Sequence, residues 1–297
     1  MKIVSLLSAG TEILCALGAG ENLVGRSHEC DYPPTVKSLP VITRPTFDIT
    51  MSSRDIDTAV RRRLTSGEAL YHVDIELLES LQPDVIITQS HCVVCAAGDH
   101  DLARHCRRLR GHIVSLKAGT LAEIQRDVRR IGEAIGKTTE ARQYLEADAL
   151  RRAKVAQFVA EKPRPGVVVL EWLDPLFAMG NWGPEMVELA GGFCLLGNAG
   201  KHSAAIDPQP LLEANPDIII VAPCGFDIHR TRREAHVLQN IPGWNQLRAV
   251  QNHRVFFADG NRYFNRSGTS ITESIEILAE ILHGCGESST PERWQTA

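Results

Sequence analysis

At 297 residues, 43% of them hydrophobic, the chain has the length of about two domains and enough apolar side chains to bury a core in each. Lys and Arg total 32 against 36 Asp and Glu; the net charge of -4 supplies no field for a polyanion, so nucleic acid is not an expected partner. No window approaches the roughly 18–20 apolar residues of a membrane span, and membrane insertion is not expected.

In chain order, Met1-Lys2 runs directly into an apolar strand, Lys2–Leu7. With no apolar stretch and small-residue cleavage site ahead of it, the chain reads as lacking a secretory signal, and a cytoplasmic location is the expectation. The strand breaks into a loop at Ser8-Ala9-Gly10, and a second strand ends at Cys30-Asp31-Tyr32-Pro33-Pro34. A Leu- and Glu-rich helix from Asp74 is stopped by Pro83-Asp84 and followed by Val85-Ile86-Ile87-Thr88. A β-branched run bounded by turn residues is the pattern of a strand buried on both faces of a parallel sheet. His91-Cys92-Val93-Val94-Cys95 comes next, and the strand His112–Leu116 closes a first lobe over residues 1–117.

Leu121, Ile124, Val128, Ile131 and Ile135 recur every three or four residues, an amphipathic helix that resumes past an interruption at Gly136-Lys137-Thr138-Thr139 and runs to Phe158. Residues 118–162 are therefore expected to be a stiff connection of ~1.5 Å per residue rather than a flexible linker. Pro163-Arg164-Pro165-Gly166 opens a second lobe, 163–284. Its first strand, Val167–Leu170, breaks into Trp172-Leu173-Asp174-Pro175, and its last helix carries Ile271, Ile275, Leu278 and Ile281. Residues 285–297 read as a loose polar tail.

Asp207–Cys224 repeats Val73–Ser90 in altered form, with a helix, an x-Pro-Asp stop and the run Ile218-Ile219-Ile220-Val221. The repeat predicts an α/β fold of two Rossmann-like lobes with central parallel sheets, joined by a long rigid helix. Such lobes are expected to leave a crevice at the carboxyl ends of their strands, where open α/β sheets bind ligands.

Cys30-Asp31-Tyr32-Pro33-Pro34, Leu81-Gln82-Pro83-Asp84-Val85-Ile86-Ile87, Phe177-Ala178-Met179-Gly180 and Leu189-Ala190-Gly191-Gly192, in this lobe–helix–lobe plan, resemble the cobalamin-binding proteins of the ABC-transporter substrate-binding family. Other members of that family take iron–siderophore complexes or haem. The resemblance covers residues 2–283 and implies a binding protein, not an enzyme, whose bulky planar ligand lies flat in the crevice between aromatic rings. Tyr32 is then expected to meet the ligand from the first lobe, and Trp172, Phe177, Trp182 and Tyr263 from the second. Each stacked ring adds ~0.5–1.5 kcal/mol; Phe177 and Phe264 are equally readable as core. Glu171 lies at a strand mouth, and Asp259 and Arg262 offer polar contacts to the amide groups of a corrinoid. The family also docks its permease through one acidic residue per lobe. One falls at Glu76 but the other at Gln209, so docking is expected to be weak and the chain to have left the transport cycle; a periplasmic transport component is an alternative.

Eight cysteines in a chain read as unexported point to thiols or metal ligands rather than a disulfide framework. Cys15, Cys106, Cys194 and Cys285 fall in helical patterns or turns and read as small hydrophobes. Cys30, Cys92, Cys95 and Cys224 each follow a strand, the first three in loops expected after adjacent strands of one lobe. At C-x-x-C spacing Cys92 and Cys95 can hold a metal ion such as zinc or form a redox pair, with Cys30 and then His28, His91 or Cys224 completing a ligand set. The leading expectation is a corrinoid or related metal-bearing ligand. The alternatives are a thiolate-metal protein, or an enzyme that sets Glu171, Asp174, His202 or His229 as acid or base beside a thiolate or metal. No G-x-G-x-x-G, G-x-x-x-x-G-K-[ST] or G-x-S-x-G occurs, which argues against nucleotide and serine-hydrolase chemistry.

Overall fold

A computed structural model of the chain describes residues 1–90, 94, 111–284 and 291–297. Contacts divide it into two compact units: Met1–Met51, Asp55–Ala147 and Ser267–Thr269 form the first, and Ser52–Arg54, Asp148–Arg266 and Ser270–Ala297 the second.

In the first unit β1 (Ile3–Ser5), β2 (Leu23–Arg26), β5 (Val85–Gln89) and β6 (His112–Leu116) form a parallel sheet in the order β2-β1-β5-β6. A short antiparallel pair, β3 (Thr43–Pro45) with β4 (Tyr71–Val73), flanks α2 (Ser53–Ser66). The apolar runs read from the sequence are the central strands, and their alternation serves two cores. Ile3 and Ile87 face α1 (Ser8–Ala16), through Ile13 and Leu14, and α4 (Leu121–Ala134), through Val128 and Ile131. Val4 and Ile86 face Leu78 of α3 (Ile75–Leu81). Period-two burial on both faces is what a parallel sheet sandwiched by helices requires.

Two local features differ from expectation. Ser8-Ala9-Gly10 is not a loop but the first turn of α1. These residues are small because the helix backs onto the sheet, and a Cβ on Gly10 would run into the Ile87 side chain. The strands β2 and β5 are also not neighbours, since β1 lies between them in the order expected when the first strand is central.

After a capping box between Thr120 and Glu123, α4 runs to Ala134. The chain turns at Gly136, φ 71°, and α5 (Thr138–Val159) follows. Within the second unit α5 is pinned to the last helix by Arg151 to Glu276 (2.6 Å) and by Arg152, which donates to the Thr272 hydroxyl at 2.9 Å.

In that unit β7 (Gly166–Leu173), β11 (Ile218–Val221) and β12 (Val255–Ala258) run parallel. One edge of β7 is shared, its start pairing with β9 (Phe193–Cys194) and its end with β8 (Leu176–Ala178). Strands β10 (Ala204–Ala205) and β13 (Trp294–Thr296) extend the two sides antiparallel. Helices α6 (Gly183–Leu189), α7 (Pro208–Ala214), α8 (Ile228–Glu234) and α9 (Ile271–His283) complete the unit, with α9 packed on α6.

Trp172 and Leu173 are therefore strand residues of a β7–β8 hairpin that turns at Asp174-Pro175, not a loop. The loose-tail expectation fails for the last residues as well. Trp294 is 1% exposed, its indole N–H donates to Glu280 at 3.1 Å, and β13 pairs with β12. Burying one tryptophan outweighs the polar composition around it.

Candidate functional site

In the second unit the carboxyl ends of β7, β11 and β12 bring together most of the residues singled out above. Glu171 and Trp172 end β7, and the Glu171 carbonyl accepts the N–H of Cys224 at 3.0 Å, which fixes the Pro223-Cys224 loop after β11 beside β7. Phe177 lies across the hairpin from Trp172. The Trp172 ring packs on Phe226 at 5.2 Å between centroids, and Arg230 covers Phe226 at 3.7 Å. The Trp172 indole N–H is committed to the Ser53 carbonyl at 3.1 Å, while the Ser53 N–H donates to Glu234 at 2.8 Å. Trp172 thus offers a ring edge and face, not a donor.

Asp259 follows β12 and caps the turn Gly260–Phe264, its Oδ1 accepting the Arg262 N–H at 2.7 Å. Burial raises its pKa against the pull of the backbone N–H groups of Arg262 and Asn261. The Arg262 guanidinium goes to Glu273 at 3.2 Å. Tyr263 stands half-buried between the guanidinium groups of Arg262 (5.1 Å) and Arg293 (5.9 Å), and burial raises its pKa. Asn265 ties this turn to the neighbouring strand end, donating to the Ala222 and Gly260 carbonyls at 2.9 Å each.

Trp182 does not join this group. It is 7% exposed at the start of α6, and its indole N–H is bonded to the carbonyl of the fully buried Phe264 at 2.9 Å. Trp-Gly-Pro at a helix start hides such a ring in the interior, and nothing in its spacing separates it from a ligand-facing one.

In the first unit the loop after β2 carries Tyr32, 40% exposed. Its organiser went unnoticed in the sequence: Arg26, the last residue of β2, donates to the carbonyls of Ser27 (3.1 Å), Cys30 (3.1 Å) and Lys37 (3.0 Å). Cys30 does not line an open wall. It is fully buried, with the Thr11 hydroxyl donating to its sulfur at 3.0 Å and its thiol donating to the Ser5 carbonyl at 3.8 Å. His28 is held by Thr43 at 2.7 Å through Nδ1 and meets Glu29 at 3.2 Å through Nε2. Its ring lies 5.4 Å from that of Tyr71, whose hydroxyl donates to the Val94 carbonyl at 2.5 Å. Cys92 and Cys95, with His91, lie outside the described residues. Among the described residues no group of three or more His, Cys, Asp or Glu side chains is arranged to hold a metal. The packing reading fits Cys15 and Cys194, since burial raises both thiols, Cys194 to about 11. Of the acid–base candidates, Asp174 is paired with Arg54 at 2.8 Å and His229 is exposed on α8.

A parallel sheet whose carboxyl-end loops carry aromatic rings, in each of two related units, is the arrangement of a binding protein. Residues 3–261 match the family described as periplasmic binding protein. The chain belongs to that family. As one of its members it is a ligand-binding protein, which sets aside the enzyme alternative. Among curated relatives, the ABC transporter substrate-binding lipoprotein YvrC of Bacillus subtilis (strain 168) is 23% identical over 288 residues, 95% of this chain and 80% of the relative. The vitamin B12-binding protein of Vibrio cholerae is 23% identical over 290 residues, 95% of this chain and 88% of the relative. Among solved structures, a periplasmic heme-binding protein from Pseudomonas aeruginosa superposes with a TM-score of 0.74 at 18% identity, covering 99% of this chain and 96% of that one. The vitamin B12-binding protein BtuF of Vibrio cholerae gives 0.65 at 20% identity, covering 95% and 96%. The expected class of two α/β lobes on parallel sheets is borne out by these folds. No described helix of the binding protein is long and apolar enough to cross a membrane.

Proposed function

We propose that this binding protein takes a corrinoid of the cobalamin type, with Trp172, Phe177 and Tyr263 of the second unit as its ring contacts. The observation that carries the reading is the placement of Trp172 and Tyr263 at the ends of β7 and β12, each ring oriented by fixed neighbours rather than buried in a core. The full-length likeness to the vitamin B12-binding protein of Vibrio cholerae supports it. Glu171, Asp259 and Arg262 supply polar groups at the same strand ends, suited to amide side chains. Pre-oriented rings bind without first losing rotamer freedom, which is why the ties through Ser53, Glu273 and Asn265 matter for affinity.

Titration with cyanocobalamin and, in parallel, with haemin tests the choice. A saturable shift in the corrinoid absorption bands at one ligand per chain, weakened about tenfold by Tyr263→Ala, is the expected result. Saturable binding of haemin with no response to cyanocobalamin would overturn it. If the protein docks a permease, we propose that it does so through Glu76 on the first turn of α3, because Gln209 on α7 is neutral and turned to Glu213 at 2.9 Å.

A further inference from the structure

At the other end of the second unit's sheet, where β7, β11 and β12 begin, lies a groove of about 670 Å³ that includes Lys162, Pro165, Asp217, Ile218, Asn252, Arg254, Leu282 and His283 in its lining. It is remote in the sheet from the strand-end residues described above. Its charge is unbalanced. Asp217, the carboxylate among these residues, is already engaged by the Gly166 N–H at 2.8 Å and by Arg248 at 2.5 Å. Lys162 and Arg254 have no carboxylate partner among the described residues; the Lys162 ammonium sits 4.4 Å over the Phe158 ring.

Arg254 spends one nitrogen on the carbonyls of Ile281 and Leu282, each at 3.2 Å, where α9 ends. Its Nε–H is buried and meets no acceptor among the described residues. A buried donor left unmet costs ~1–3 kcal/mol, so an acceptor reaching it is favoured. His283 points Nε2 at the Ala190 carbonyl at 3.0 Å. Its pKa is lowered by burial and then by the fields of Lys162 and Arg254, so both cations act on the same small volume. Pro163 and Pro165 give the groove apolar contact surface.

We propose that this groove is a second binding site, for a small phosphomonoester carried on an apolar body. Two uncompensated cations match a dianion better than a carboxylate monoanion, and a donor set of one ammonium and one guanidinium suits phosphate oxygens. The site stands independently of the ligand bound at the strand carboxyl ends.

Calorimetric titration of the full chain with phenyl phosphate, inorganic phosphate and benzoate separates anion from body. Phenyl phosphate is expected to bind one per chain and tighter than either other probe, shifting the His283 ring resonances. Lys162→Met should weaken it about tenfold and Lys162→Glu more, with thermal melting unchanged because Lys162 is a partly exposed surface residue. Equal affinity of wild type and Lys162→Glu, or benzoate binding as tightly as phenyl phosphate, would overturn the proposal, as would no heat from phenyl phosphate at all.

Discussion

Each unit stops a short helix with the same three-residue device. Gln82 and Asn215 end α3 and α7 in the left-handed region, φ 47° and 40°, and a proline follows each. The next residue then turns back on the first strand of its own unit. Asp84 accepts the Lys2 N–H at 2.7 Å, and Asp217 accepts the Gly166 N–H at 2.8 Å. Their own N–H groups return bonds to the carbonyls of Lys2 (2.8 Å) and Gly166 (2.9 Å). The x-Pro-Asp repeat is therefore a clasp between the starts of two adjacent strands, β1 with β5 and β7 with β11. At the carboxyl ends the likeness stops. A single arginine, Arg26, gathers the first unit's loop, whereas the second unit has an added hairpin and a turn pressed against the neighbouring strand. What the two units share is scaffold; what differs lies at the strand ends where the proposed ligand contacts sit.

The largest effect should come from the carboxyl end of the second unit. A Cβ on Gly260 would overlap the carbonyl of Pro223 and the backbone of Ala222, contacts a rigid strand end cannot relax. Gly260→Val is expected to cost about 3 kcal/mol, seen in urea unfolding, and to remove ligand binding at the strand ends. Stability within about 0.5 kcal/mol of wild type would show that the turn is not pressed on β11.

The clasp gives a graded comparison. Asp217 also binds Arg248, and its side chain is 38% exposed against 61% for Asp84. Asp217→Ala is expected to cost about 1–2 kcal/mol and Asp84→Ala about 0.5 kcal/mol. Equal losses would mean that Arg248 and the deeper burial of Asp217 add nothing to the clasp.

That clasp was the most legible feature of the chain, because proline, aspartate and a β-branched run act locally and in fixed order. Strand adjacency was less legible. Spacing alone does not reveal that β1 enters between β2 and β5, so the thiol loops were set on neighbouring strands when a strand intervenes. Cys30 looked like a loop thiol by position, yet it is buried by partners from α1 and β1 that the linear pattern does not name. Arg26 and Tyr71 left no trace in any motif, since each acts through backbone carbonyls, and carbonyls look alike at every position. Trp172 and Tyr263 were legible because large rings beside Pro- and Gly-containing turns at predicted strand ends are few. Trp182, which met the same description, shows that the rule selects rings without saying which way they face.

The smallest effect concerns acid. Burial, Lys162 and Arg254 hold the His283 pKa below its ordinary 6.5, overriding the Ala190 carbonyl, which favours the charged form. The folded chain therefore binds this proton less readily than the unfolded one. Above about pH 6.5 both states are neutral at this ring and its full contribution is present; as the pH falls, the unfolded state takes up the proton first and stability declines until the folded pKa is passed. His283→Gln, which keeps a donor for the Ala190 carbonyl but cannot titrate, should lose less on acidification. Between about pH 7.5 and 5.5 its melting temperature is expected to fall about 1 °C less than that of the wild type. An identical fall in both proteins would mean that folding does not lower the pKa of this ring.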